Sequence, residues 1–181
     1  MLEVVIEGGE FYDEINEEFI PIKPVTLRLE HSLVSISKWE SKWKKPFLVE
    51  RPPKTLEELR DYVRCMTLNQ NVDPKVYYAL DRNTMKAISE YIDSSQTATT
   101  FSNHAAGGHS REILTSEVIY WMMFSFNIPL DCQKWHFSRL LTLLRIFSIK
   151  NSPPKKMSKR EILAQNKALN DARRAKLHTK G

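Results

Sequence analysis

The two-residue alternation of apolar and polar side chains stops at Ser32 and does not return, and this switch constrains the fold more than any other feature of the chain. Before it, Leu2, Val4 and Ile6 alternate with Glu3, Val5 and Glu7, and Val25, Leu27 and Leu29 alternate with Thr26, Arg28 and Glu30. Both runs have the period of a half-buried strand. Phe19, Ile20 and Ile22 supply a third short strand, which Pro21 and Pro24 confine to an edge because proline donates no ladder hydrogen bond. Three strands at most form only a small sheet, so their apolar face requires a helical layer. The expectation is an α+β fold, mostly helical, with a small N-terminal antiparallel sheet over residues 1–31.

Beyond Ser32 the apolar residues recur at helical spacing. Leu33, Ile36, Trp39 (or Glu40) and Trp43 lie about one turn apart, with Ser32 placed to cap them. Thr55 and Glu58 make a capping box ahead of a stripe of Leu56, Leu59, Val63 and Met66, in a helix expected to end near residues 69–71. Asp73 followed by Pro74 opens a short helix through Tyr77, Tyr78 and Leu80, and another runs from about Thr84 through Ile88 to Ile92. Residues 94–110 are small and polar, lack either period and form the longest expected loop. The strongly apolar segments 117–126 and 130–147 read as helices at the centre of the core. After Pro153 and Pro154, Ser158 and Glu161 form a second capping box. It opens a basic helix with a thin stripe of Ile162, Leu163, Leu169 and Leu177 and small residues at Ala164, Ala168, Ala172 and Ala175. The expected organisation is a sheet region over 1–31, a helical core over 32–150 and a basic C-terminal helical tail over 151–181. No internal repeat is present.

With 181 residues, 41% of them hydrophobic, one domain buries roughly 70% of the surface its unfolded chain exposes and needs neither disulfide nor structural metal. Cys65 and Cys132 stand alone, without the spacing of a zinc site or an exported disulfide framework, which points to a reducing, intracellular setting. Residues 1–10 contain Glu3, Glu7 and Glu10 and no basic apolar stretch, and no window approaches about 18 consecutive apolar residues. Neither a signal peptide nor a membrane span is expected. The net charge of +5 conceals a polarity along the chain. Residues 1–30 hold eight acids against Lys23 and Arg28, a balance of −6, and residues 150–181 hold ten bases against Glu161 and Asp171, a balance of +8. Such polarity suits head-to-tail attraction between copies or a basic tail aimed at an acidic partner, with two solvated ends as the plain alternative.

No catalytic constellation emerges. His104 and His109 bracket a Gly-Gly loop at a spacing that matches no metal signature. Cys132 and His136 lie four apart, the reach of a nucleophile and its base, but read as a buried thiol beside a core histidine. Phosphate loops, dinucleotide fingerprints and nucleophile elbows are absent. No enzyme, cofactor or metal is expected. Arg173, Arg174 and Lys176 could neutralise phosphates, yet their helix offers no aromatic residue to stack on bases. Protein binding fits better: four Trp, six Met and a basic helical tail suit the recognition of another chain's amphipathic helices. The candidate contact residues are Lys159, Arg160, Arg173, Arg174, Lys176, Trp39 and Trp43, although Trp39, Trp43, Trp121 and Trp135 each also suit the core.

Five stretches, residues 29–47 (LEHSLVSISKWESKWKKPF), 62–74 (YVRCMTLNQNVDP), 91–101 (YIDSSQTATTF), 132–145 (CQKWHFSRLLTLLR) and 153–161 (PPKKMSKRE), resemble the tail assembly chaperones of long-tailed, siphovirus-type bacteriophages. The resemblance covers most of residues 29–181. It implies a protein that is not an enzyme, is made in the infected cell, and coats the long, aggregation-prone tape measure protein until tail tube subunits polymerise. The partners it implies are the tape measure protein, the tail tube protein and further copies of the chain. The location it implies is the host cytoplasm, with the protein absent from the mature virion. Many members of that family also exist in a longer form made by translational frameshifting. The alternative reading is a basic nucleic-acid-associated or structural phage protein.

Overall fold

The computed structural model describes residues 1–13, 17–49, 51–101, 113–151 and 159–177. The chain forms two compact units, Met1–Phe147 and Ser148–Gly181. His104, His109 and Ser158 lie outside the described residues.

The first unit begins with four strands, β1 (Leu2–Ile6), β2 (Gly9–Asp13), β3 (Glu18–Ile22) and β4 (Val25–Leu29). β1 pairs antiparallel with β4, and β2 with β3. The numbers of opposed residues add to 31 throughout, Leu2 facing Leu29 and Gly9 facing Ile22 alike. The four strands are therefore one long two-stranded ribbon in a single register, interrupted at Glu7–Gly8 and Lys23–Pro24. The interruption has a local cause: a Cβ on Gly8 would lie 2.7 Å from Pro24 Cδ and 3.1 Å from the Ile22 carbonyl oxygen. Only glycine fits against the proline ring. The expected edge strand around Phe19 is β3, with Pro21 in a strand that pairs on one side only. β2 was not anticipated, because Gly-Glu-Phe-Tyr-Asp alternates poorly.

β1 and β4 bury Val4, Ile6, Leu27 and Leu29 on one face, and helices cover it. α1 (Leu33–Trp43) starts with the expected cap, the Ser32 hydroxyl accepting from Ser35 N and the Ser35 hydroxyl accepting from Ser32 N. It ends at Lys44, whose left-handed φ of 55° directs its N–H back to the Glu40 carbonyl. α2 (Leu56–Met66) opens with the Thr55 and Glu58 capping box. It ends at Met66, short of residues 69–71, because Thr67 becomes extended and bridges Leu29. Glu30 N donates to the Met66 carbonyl and Leu68 N to that of Arg28, so the chain leaving α2 covers the second edge of β4. The Asp73-Pro74 start opens a 3₁₀ helix, Pro74–Ala79, and α3 (Arg82–Asp93) is capped by Asp81. α4 (Ser116–Ser125) is capped by Thr115. Segment 130–147 divides into a 3₁₀ turn, Leu130–Lys134, and α5 (Phe137–Asn151), with Trp135 and His136 between them.

The largest fully buried side chains include Trp39, Tyr62, Leu27, Leu29, Leu33, Ile36 and Met66, all on β4, α1 and α2. The centre of the core lies there and not between α4 and α5, whose large side chains buried to the same degree are Ile119, Met123 and Leu140. α2 also departs from the expected stripe: Leu56 and Leu59 are exposed, and the buried face carries Glu58, Asp61, Tyr62, Val63 and Met66.

In the second unit, α6 (Lys159–Leu177) is a continuous helix, and the side chains described on it are exposed. A chain ending at Asn151 should accordingly melt cooperatively at nearly the full-length temperature, and a molten product in circular dichroism would refute this. Gly8→Ala should destabilise the domain by about 1–3 kcal/mol, the usual cost of forcing atoms into occupied space, read as a lowered urea midpoint.

Candidate protein-binding site

A buried carboxylate decides where α4 begins. Glu40, on the inner side of α1, accepts the amide of Phe47 on one oxygen and that of Ser116 on the other, each at 2.8 Å. Ser116 is the first residue of α4, and its amide is among those a helix start leaves without an internal partner. The same contact places an anion at the positive end of the helix. Its far end is set by Ile128, whose N–H reaches the Met123 carbonyl. Held in this way, α4 turns Ile119 and Met123 inward. Glu117, Trp121, Phe124 and Ser125, at i, i+4, i+7 and i+8, face outward. Trp121 is 66% exposed and Phe124 64%. Leu130, at the start of the following 3₁₀ turn, is exposed as well.

Trp39 and Trp43 share a face of α1 as their spacing predicts, and that face meets α2. Trp39 is 1% exposed, donates its indole N–H to the Glu58 carbonyl at 2.9 Å and meets Phe47 edge-on. It is a core residue. Trp43 is half-buried, stacks on Trp39 with ring centroids 6.2 Å apart, and donates to Asp61 at 2.8 Å. Asp61 also receives Lys42 and Arg64, while Glu58 receives Lys45 and the Thr55 amide. Hydrogen bonds from Lys45 and Thr55 hold the Glu58 carboxyl below its ordinary range. Those from Lys42, Trp43 and Arg64 do the same for Asp61 against the opposing effect of its burial. The basic candidates Lys159, Arg160, Arg173, Arg174 and Lys176 all lie on α6, exposed. α1 and α6 belong to different units, so the seven candidates form no single site within one unit.

Cys132 and His136 are both buried, but the thiol belongs to the 3₁₀ turn and the imidazole precedes α5. His136 Nε2 contacts the Tyr91 carbonyl at 3.2 Å, and its Nδ1 meets the amide and hydroxyl of Ser138. The ring is engaged as a helix cap. Beside it, His31 hydrogen-bonds the Tyr62 hydroxyl and packs edge-on against His136 and Phe137. Burial, with the neighbouring His136 adding to it, holds His31 down from 6.5 to about 3. Burial lowers His136 too. Among the described residues no group of three or more His, Cys, Asp or Glu is placed to hold a metal ion, and no helix is long and apolar enough to cross a membrane.

Sequence reasoning missed the Trp121 and Phe124 surface, because 117–126 is apolar on every side and such a helix is ordinarily buried whole. The available signal was Glu117, the one charge in that segment, which marks the outward face four residues before Trp121. Compared with protein-family models, curated proteins and solved structures, the chain matches none.

The histidine pair generates a pH prediction. Both groups are neutral in the folded protein and bind protons once unfolded, so stability is full above their unfolded values and falls as the pH drops below about 6.5. The paired carboxylates contribute only lower, near their own unfolded values of about 4. Melting temperature should therefore decline between about pH 7 and 5. His31→Gln should flatten that decline, and an unchanged slope would show that His31 does not carry it.

Proposed function

We propose that this protein is a tail assembly chaperone of a long-tailed bacteriophage, which binds and shields the tape measure protein in the infected cell's cytoplasm and leaves before the virion is complete. The resemblance of residues 29–47, 62–74, 91–101, 132–145 and 153–161 to that family gives the reading its specificity. The structural observation that supports it is the outward face of α4, where two large aromatic side chains, Trp121 and Phe124, stand in solvent one turn apart. A tape measure protein is a long helical chain with apolar stripes, and aromatic anchors spaced along one helix face suit side-by-side packing with such a stripe. A chaperone of this kind must also release its client, and a narrow aromatic patch used in many copies gives hold through number and not through the strength of one contact. α6 adds exposed positive charge for acidic segments of a protein partner.

The test is co-expression of the chain with the tape measure protein of its phage. Wild type should keep that protein in solution and co-purify with it. Trp121→Ser with Phe124→Ser should retain the wild-type melting temperature, since both side chains are already exposed. It should lose most of the captured tape measure protein, a buried aromatic anchor being worth about 2 kcal/mol or more in an interface. Equal capture by the double variant would remove α4 from the contact. Recovery of nucleic acid in place of a tape measure or tube protein would favour the basic nucleic-acid-associated alternative.

A further inference from the structure

A cavity of about 200 Å³ opens between α1, α2 and the 3₁₀ helix Pro74–Ala79, and its charges do not balance. Lys42, Arg60 and Arg64 line it against Glu57 and Asp61, which leaves one positive charge in surplus. Lys42 and Arg64 both donate to one oxygen of Asp61, at 2.7 and 2.8 Å, and the Trp43 indole holds the other. Glu57 is exposed. Arg60 is placed differently: it is half-buried, and its guanidinium lies over the Tyr78 ring, 5.4 Å from the centroid. Among the described residues no acceptor reaches its buried Nε, and no ion pair includes it. A guanidinium does not escape such a position by losing its proton. Buried donors of this kind are ordinarily matched by an acceptor.

The walls of the cavity specify the acceptor. A guanidinium is a planar fork that fits the two oxygens of a carboxylate. A surplus of one charge suits a monoanion, whereas a phosphate nearing two negative charges would meet too little positive charge beside Glu57 and Asp61. Asp61 itself, held between two cations, is offset and does not repel an incoming anion. The remaining wall is apolar. Pro74 and the rings of Tyr77 and Tyr78 line it, and the buried Tyr77 is fixed by its hydroxyl, which donates to Thr67 Oγ1 at 3.0 Å. That surface suits methylene carbons.

We infer that this cavity binds a carboxylate carried on a short apolar stem, the Arg60 guanidinium pairing with the carboxylate and the Tyr77 and Tyr78 rings packing on the stem. A free short-chain acid and the glutamate side chain of a protein segment share that chemistry. The site does not rest on the α4 contact and needs no tape measure protein.

The test is a nuclear magnetic resonance titration of the isotope-labelled full-length protein near neutral pH. The readouts are the Arg60 Nε–H resonance, which burial shelters from exchange with water, and the backbone amides of Tyr77 and Tyr78. The probes are butyrate, N-acetyl-glutamate N-methylamide, its neutral glutamine counterpart and inorganic phosphate. Butyrate and the glutamate compound should move the Arg60 resonance saturably, and the glutamine compound should not. Tighter binding of the glutamate compound than of butyrate supports the site and names a protein segment as the source. Equal binding supports it with the acid and its stem as the whole ligand. Arg60→Gln, read at the two tyrosine amides, should weaken binding about tenfold or more, the worth of a hydrogen-bonded charge. Arg60→Lys, which keeps the charge and loses the fork, should fall between. Lys86→Gln, an exposed cation of α3, should bind as wild type does. Should Arg60→Gln melt lower than wild type, the comparison of glutamate with glutamine on the wild-type chain still decides. An unmoved Arg60 resonance overturns the inference, and so do equal responses to glutamate and glutamine, tighter binding of phosphate, or undiminished binding by a folded Arg60→Gln.

Discussion

The arrangement of the first unit depends on one buried carboxylate, Glu40, that two backbone amides hold. A carboxylate in such a place costs several kcal/mol unless fixed donors surround it, and Glu40 has two, the amides of Phe47 and Ser116. Each donor belongs to a segment that would otherwise leave that amide unsatisfied, so carboxylate and backbone settle one another. The bond to Ser116 spans 76 residues of sequence. It joins the first helix of the chain to the start of α4 and fixes the rotation of α4 about its axis. The inward position of Met123 and the outward position of Trp121 both follow from that rotation.

The same principle organises the face between α1 and α2. Buried acids on α2 meet lysines and an indole from α1 and the segment after it, so charged side chains seal the edge of the core that aliphatic ones would occupy in a simpler packing. The Lys42 and Lys45 ammonium groups that reach the carboxylates also lie over the Trp43 ring, 5.3 and 6.0 Å from its centroid. This polar seam displaces Leu56 and Leu59 to the outside. The histidine cluster is the opposite case. Its rings are held neutral inside, where each nitrogen contact is made to a hydroxyl or to backbone.

What the sequence reveals and conceals follows from these contacts. The caps at Ser32, Thr55 and Asp73 are legible because the residues that make them lie within three positions of each other. The β1 and β4 alternation is legible because one face is solvated. The buried face of α2 is hidden from any periodicity argument, since Glu58 and Asp61 count as polar until their partners, 13 to 19 residues upstream, are placed beside them. α4 is hidden for the converse reason: a helix apolar all round does not disclose which side remains bare. β2 is missed because Gly9 holds the position opposite Ile22 that a larger residue would ordinarily mark. Of the candidate contacts, the basic residues of α6 lie on an exposed helix, as their sequence suggests. Trp39 could not be told from a core residue until its neighbours were known.

The constant register of the ribbon also limits how such a chain can change over time. Strand positions 2–6 are tied one to one to 25–29 and positions 9–13 to 18–22, the same register holding on both sides of the break at Gly8 and Pro24. One residue inserted into a single strand would exchange inner and outer faces for everything beyond it, exposing Ile20 and Ile22 or burying a run of glutamates. Length differences among descendants of this chain should therefore arise as matched gains or losses on both strands, or at the turn between β2 and β3. The glycine facing the proline should persist as a fixed landmark from which the two arms are counted.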